Sequence, residues 1–276
     1  MKDITNIRKR YEKIFAKKYC NIDNISLCKK QTCTCSKAAE VYAYIESVIP
    51  EEFHKCTIND FNGKNKNNER ILDIDIAIAI KKQIIRYCWD IKLEDFDIIS
   101  KDIYKLEKKA ILYKRRENGN NVIIYGLSNV LGRSLIASII MKEVIKQRLR
   151  PGNYIETYDW VEFSILKENI INDNEDAANS RSSDWLVVDN IDETIFATDK
   201  QSSFVVSKID PFFGYRFKNK MPTIFIFRFD IRKSYFIQRI EKLLGFSVLN
   251  ILKSNRTFNI PLSELPLPKG KGFSGT

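Results

Sequence analysis

Long apolar runs are missing from this chain of 276 residues. No stretch approaches the roughly 18 apolar residues of a membrane-spanning helix, so no membrane partner is expected. A signal peptide is missing too, because Met1 to Lys18 carries charge throughout. Together these absences predict a cytoplasmic protein in a reducing compartment. Histidine is almost lacking: the single one, His54, reads as a surface residue. No internal repeat is visible, which argues against a solenoid or an array. What remains, with 44% hydrophobic and 29% charged residues, is a globular composition. The length suits one large core or a core with a small appendage.

The formal net charge of +11 points to nucleic acid or an acidic protein surface as partner. Basic residues cluster in Lys105–Arg116, Lys142–Arg150, Arg216–Lys220 and Lys253–Arg256. Scattered clusters suit several modest phosphate contacts better than one basic arm. An Ile/Lys/Asn-heavy composition with solvated lysines explains the same charge without a ligand.

Residues 1–56 form a distinct opening section. Ile7, Tyr11, Ile14 and Phe15 recur at helical spacing, a cysteine-rich loop follows, and a second helix crosses Ala38–Val48 before Pro50 closes it. Thr57–Gly63 and the polar Lys64–Glu69 run read as a junction. Over Ile71–Trp89 a strand-like alternation competes with helical recurrence, and the unbroken length favours a helix. Asp102–Arg116 reads as a charged helix ended by the turn Glu117–Asn121.

From Val122 onward, strand-like and helical runs alternate: strands at Val122–Tyr125, Tyr154–Tyr158, Trp185–Val188, Pro222–Phe229 and Arg256–Pro261, with helices at Ser134–Gln147, Val161–Ile171, near Phe204–Lys218 and at Lys233–Leu244. This pattern predicts an α/β fold with a parallel sheet covered by helices. The expected organisation is a helical domain over 1–56, an α/β domain over 57–262 and a flexible tail over 263–276.

The first strand runs into Gly126-Leu127-Ser128-Asn129-Val130-Leu131-Gly132-Arg133-Ser134 and then a helix, laid out like a nucleotide-binding P-loop. A working loop, G-x-x-x-x-G-K-[ST], wraps phosphates in backbone N–H groups, neutralises them with lysine and holds magnesium with the hydroxyl. Here Gly132 and Ser134 are in place, Arg133 stands at the lysine position, and Gly126 lies one residue too far upstream. The candidate nucleotide residues are therefore Gly126, Asn129, Gly132, Arg133, Ser134 and Asp189. Asp189 ends the apolar strand Trp185–Val188, where a P-loop ATPase keeps the carboxylate that holds Mg²⁺. Its neighbour Asn190 is a neutral amide and takes no proton, so Asp192 or Glu193 would have to supply the catalytic base.

In order and wording these segments resemble bacterial replicative-helicase loaders, AAA+ ATPases of the DnaC/DnaI type related to the IstB transposition helpers. The resemblance rests on Thr57–Phe61, Ile124–Ala137, Tyr154–Phe163, Trp185–Ile191, Tyr215–Ile226 and Ile240–Leu252. Its most specific phrase is Tyr215-Arg216-Phe217-Lys218-Asn219-Lys220-Met221-Pro222-Thr223-Ile224-Phe225. It implies a sheet of AAA+ order, side-by-side assembly, ATP at subunit junctions, contact with single-stranded DNA and delivery of a hexameric helicase.

Departures fall on the catalytic positions. Arg133 replaces the lysine, and a broad planar guanidinium fits poorly inside a tight loop. Asn190 replaces the acid, Arg228 stands at the sensor, and Ser247 and Asn250 lie near where the family carries an arginine finger. Such a finger alone is worth roughly 10³-fold or more in rate. The resemblance therefore implies a replication scaffold that does not hydrolyse ATP, with ATP or ADP and Mg²⁺ binding left open. Two rivals stay open: an active loader or transposition-helper ATPase, and a nucleic-acid-binding module without a helicase partner. An active AAA+ sister subunit is a further partner the pattern allows.

Cys20, Cys28, Cys33 and Cys35 form C-x7-C-x4-C-x-C. In a reducing cell four close cysteines favour a structural Zn²⁺ over disulfides, and some loaders resemble this too, with an N-terminal zinc section that docks on the helicase. Ordinary small-residue cysteines in a helical hairpin are the alternative. Arg228, Arg232, Lys233 and Arg239 are the candidate DNA contacts, although a solvated helix face accounts for them equally well.

Overall fold

The computed structural model describes residues 4–17, 34–61, 63, 72–89, 114–126, 132–147, 156–192 and 202–262. Outside them lie Cys20, Cys28 and Cys33, the polar run of the junction, most of the Asp102–Arg116 helix, Asn129, Glu193 and the tail. The described residues gather into two compact units. One draws on Met1–Cys56 and Ser138–Ile155, the other on Thr57–Ala137 and Glu156–Thr276.

In the first unit, α1 (Ile4–Phe15) packs on α2 (Thr34–Val48). The helical spacing of Tyr11 and Phe15 puts both rings against Tyr42, at centroid distances of 5.5 and 5.1 Å. Ala39 and Ala43 are fully buried, which lets the helices approach closely, and Arg10 pairs with Glu46. Pro50 opens a 3-10 turn over Glu51–Phe53. The carbonyls of Phe53 and Cys56 accept from the Lys142 ammonium, itself 5% exposed. A buried lysine thus replaces the water those turn carbonyls would otherwise need.

The second unit holds a five-stranded, all-parallel sheet: β1 (Asn121–Gly126), β2 (Tyr158–Glu162), β3 (Trp185–Ile191), β4 (Thr223–Phe227) and β5 (Thr257–Leu262), in the spatial order β2-β3-β4-β1-β5. Strands β1, β3 and β4 are nearly continuous apolar runs because both of their faces are buried. On one face Ile123, Tyr125, Leu186, Val188, Phe225 and Phe227 share a core with α5 (Phe163–Ile171), α7 (Ser202–Lys218), α8 (Ser234–Leu244) and α9 (Phe246–Lys253). Phe213, Phe225, Phe227, Phe229 and Phe236 form a chain of ring contacts through it. On the other face Val122, Ile124, Val187, Ile224 and Ile226 are at most 1% exposed. Helix α3 (Ile74–Cys88) packs on β5, with Tyr87 edge-on to Phe258. Its helical recurrence prevails over the strand-like alternation, helped by the Asp73 cap on the Asp75 N–H. Helix α4 (Arg133–Gln147) follows the loop after β1.

Three elements differ from the sequence reading. The second strand occupies Tyr158–Glu162, four residues later than expected, and α5 starts at Phe163. Thr157, held through its N–H and hydroxyl by the Asp184 carboxylate, sets this register and pairs Tyr158 with Trp185. Helix α6 (Glu175–Ser182) has almost no apolar residues to reveal it and relies on Asn174 accepting from the Ala177 N–H. The closing helix is two helices, broken at Gly245 (φ 91°), where a Cβ would lie 2.4 Å from the Asp210 carboxylate.

Arg216, in the phrase most specific to the loader resemblance, is completely buried near the end of α7. Its guanidinium donates to the carbonyls of Ser180, Arg181 and Ser183, the Ser183 and Thr223 hydroxyls and the Pro222 carbonyl. Burial pulls its pKa down to about 9, opposed by Asp159 and Asp184. One side chain therefore joins α6, α7 and the starts of β3 and β4. Arg216→Met would strand these acceptors and is expected to lower the unfolding free energy in urea by about 3 kcal/mol or more.

Candidate functional site

Of the residues singled out as nucleotide ligands, Asn129 lies outside the described residues; Gly126, Gly132, Arg133, Ser134 and Asp189 lie at the carboxyl ends of β1 and β3, with β4 between these strands. This is where open parallel sheets place their ligands. Strand β1 ends at Gly126, and no other residue fits there: a Cβ would fall 1.8 Å from the Leu262 carbonyl of β5. Gly132 (φ 124°) turns the chain into α4 over the Phe61 ring, which a Cβ would meet at 2.9 Å. The buried Phe61 closes a 3-10 turn fixed by a capping box between Thr57 and Asp60.

Arg133 points inward. It is 7% exposed and donates from Nη1 to the Gly126 carbonyl at 3.1 Å, tying the start of α4 to the end of β1. Burial lowers its pKa to about 10; Arg228 pushes the same way and Asp189 opposes it. Even so, the group is a cation at neutral pH. The Ser134 hydroxyl donates to Asp189 Oδ1 at 3.3 Å, and the Asn190 N–H donates to the same oxygen at 2.6 Å. Burial raises the Asp189 pKa, while the Ser134 and Asn190 bonds, Arg228 and the Trp160 side chain hold it down. The serine and acid that would share a magnesium ion are thus bonded to each other.

Asn190 sits in a β-bulge. Pairing of β3 with β4 steps from Val188–Phe225 to Ile191–Phe227, and Asn190 takes up the extra residue at φ 61°. Asparagine tolerates this left-handed conformation better than most residues, which supplies a backbone reason for its presence. Its Oδ1 is buried with no hydrogen-bond partner among the described residues. Arg228 follows β4, exposed, and its N–H bonds the Ile191 carbonyl at 2.8 Å. Asp192 lies just past β3.

The four candidate DNA contacts separate into different environments. Arg228 and Lys233 are exposed. Arg232 is clamped by both oxygens of Asp230, at 2.9 and 2.6 Å, and lies over the Tyr125 ring. Arg239 is half-buried in α8. Tyr235, 46% exposed in the first turn of α8, is a feature the sequence reading passed over; its place just after Lys233 was the available signal. In the closing pair, the Ser247 N–H is held by Asp210 at 2.6 Å, which commits the start of α9 to α7.

The expected structural zinc is not borne out among the described residues, and the Mg²⁺ left open by the sequence has no ligand group there either. Among the described residues, no group of three or more His, Cys, Asp or Glu side chains is placed to hold a metal ion. Cys35 lies in α2, Cys56 and Cys88 form no disulfide, and the His54 Nε2 is bound to the Ile49 carbonyl. Cys20, Cys28 and Cys33 lie outside the described residues.

Comparing Asn190→Gly with Asn190→Ala isolates the backbone term, since both remove the amide. The glycine variant is expected to be more stable in urea by about 1 kcal/mol, the reverse of the order in a regular strand. Searches against protein-family models and curated proteins find no match to this chain.

Proposed function

We propose that this chain is a non-hydrolysing protein of the AAA+ helicase-loader type, a scaffold that binds a replicative helicase or another replication protein together with single-stranded DNA. The inward Arg133 carries this reading. It spends its charge on the Gly126 carbonyl, inside the turn where a P-loop would wrap phosphate. The frame supports the reading as well, because the two motif-bearing strands lie either side of β4 in an all-parallel sheet. Around that frame the groups that do chemistry are replaced: no lysine stands at 133, no acid at 190, and Asp189 is occupied by Ser134 and Asn190.

In this scaffold the N-terminal helical section recruits the protein partner. The net charge of +11, with Arg228 and Lys233 exposed at the same edge as the degenerate motifs, supplies phosphate contacts to DNA. Such contacts weaken steeply as salt rises.

Purified protein is expected to release no phosphate from ATP above the blank, and Arg133→Lys alone will not restore turnover because position 190 still lacks a base. ATP hydrolysis abolished by Asp189→Ala would refute the scaffold. In a separate assay, the chain is expected to co-elute with the replicative helicase of its own host, and removal of residues 1–56 to abolish co-elution. Co-elution that survives the truncation would exclude the opening section as the docking element.

A further inference from the structure

Helices α5, α6 and α7 enclose an open cavity of about 460 Å³, none of whose lining residues belongs to the degenerate motifs. Its floor is apolar, made by the buried Ile170, Ala177 and Phe212. Its lining carries two cations, Arg181 and Lys208, against one carboxylate, Asp173. The Arg181 guanidinium lies 4.2 Å from the centre of the Tyr215 ring, so the charge is held over an aromatic surface.

Helix α7 extends this surface as a stripe. Phe204, Lys208, Pro211 and Tyr215 fall at intervals of four, three and four residues, and all four are exposed, Phe204 by 56%. At 1.5 Å per residue the stripe runs about 16 Å, about three helical turns. Pro211 has no N–H to offer, so the Ser207 carbonyl one turn earlier loses its helical donor and faces the same side. Two large rings exposed on one helix face, with a cation between them, are an unusual expense for a surface.

The groove is also preorganised. The buried Arg216 bonds the carbonyls of Ser180, Arg181 and Ser183, fixing the end of α6 against α7. That anchoring holds the Arg181 backbone in place and, with it, one wall of the cavity. A wall already set needs no ordering on binding, which favours affinity.

We propose that this groove is a docking site for an acidic amphipathic helix of a protein partner, its apolar side chains on the Ile170–Ala177–Phe212 floor and its carboxylates on Arg181 and Lys208. The excess of cations over carboxylates in the lining and the +11 charge of the chain specify the acidic occupant. The length of the stripe on α7 suits a helix laid along it, with its own apolar anchors at i, i+4 and i+7 facing the groove. The proposal rests on the scaffold reading only in taking the occupant to be a protein.

The test uses the full chain and a fluorescein-labelled peptide of about 15 residues, long enough to form a helix on binding, with Leu and Phe at i, i+4 and i+7 and Glu elsewhere on its surface. A second peptide carries Lys in place of Glu, and a labelled oligo-dT is the third probe. Fluorescence anisotropy is expected to show saturable binding of the acidic peptide, at least tenfold weaker for Arg181→Glu/Lys208→Glu and for Tyr215→Ala, with the Lys peptide not bound. Those three side chains are exposed, so unchanged melting of the variants confirms the fold. No binding of the acidic peptide, equal binding by parent and variants, or loss of oligo-dT binding in the same variants would each overturn the proposal, the last by marking the groove as a nucleic-acid surface. ATP turnover in the parent would remove the scaffold reading and leave the peptide result standing.

Discussion

A buried guanidinium with no carboxylate among its hydrogen-bond partners organises the amino-terminal end of the sheet. Arg216 takes as acceptors four carbonyls, three at the end of α6 and one before β4, and two hydroxyls, so α6, β3 and β4 cannot shift independently. Taking that charge out of water is costly, and the cost is tolerable only while every acceptor stays in place. The parallel sheet then carries the constraint upward. Fixing the starts of β3 and β4 fixes their register, and with it the bulge at Asn190 on the opposite end. The most specific phrase of the sequence therefore lies at the base of the fold, while the altered chemistry lies at the top.

That separation leaves the carboxyl edge of the sheet free to differ without disturbing its base. At that edge the described polar groups are matched within the chain. Arg133 answers the Gly126 carbonyl, Ser134 answers Asp189, and the Asn190 N–H completes the set. In a working nucleotide site these partners would come from the ligand. Here they come from the chain, so among the described residues of this edge Asn190 Oδ1 is the buried side-chain polar atom left without a partner.

Much of the fold was legible because burial on both faces leaves a strong mark. Val122–Tyr125, Trp185–Val188 and Ile224–Phe227 are apolar throughout. Where burial is partial the reading slipped: β2 is an edge strand of mixed polarity, and its register depends on Asp184, which is distant in sequence. Helix α6 was invisible because tertiary contacts through Arg216, and not an apolar face, hold it in place. At the site, Gly126, Gly132, Ser134 and Asp189 were identifiable by type and spacing. The direction of Arg133 was not, since an arginine at that position reads equally as a hand extended to phosphate or one folded back. The engagement of Arg232 by Asp230 was also hidden, because it depends on the turn after β4 bringing residues two apart face to face.

The tie from Arg133 to the end of β1 has a thermodynamic corollary. A protein whose native state binds a metabolite gains stability in proportion to the logarithm of that metabolite's concentration, so its lifetime follows the nutritional state of the cell. On the scaffold reading, a cation supplied by the chain itself is present at a fixed effective concentration. The abundance of this molecule would then stay level as cellular energy reserves rise and fall.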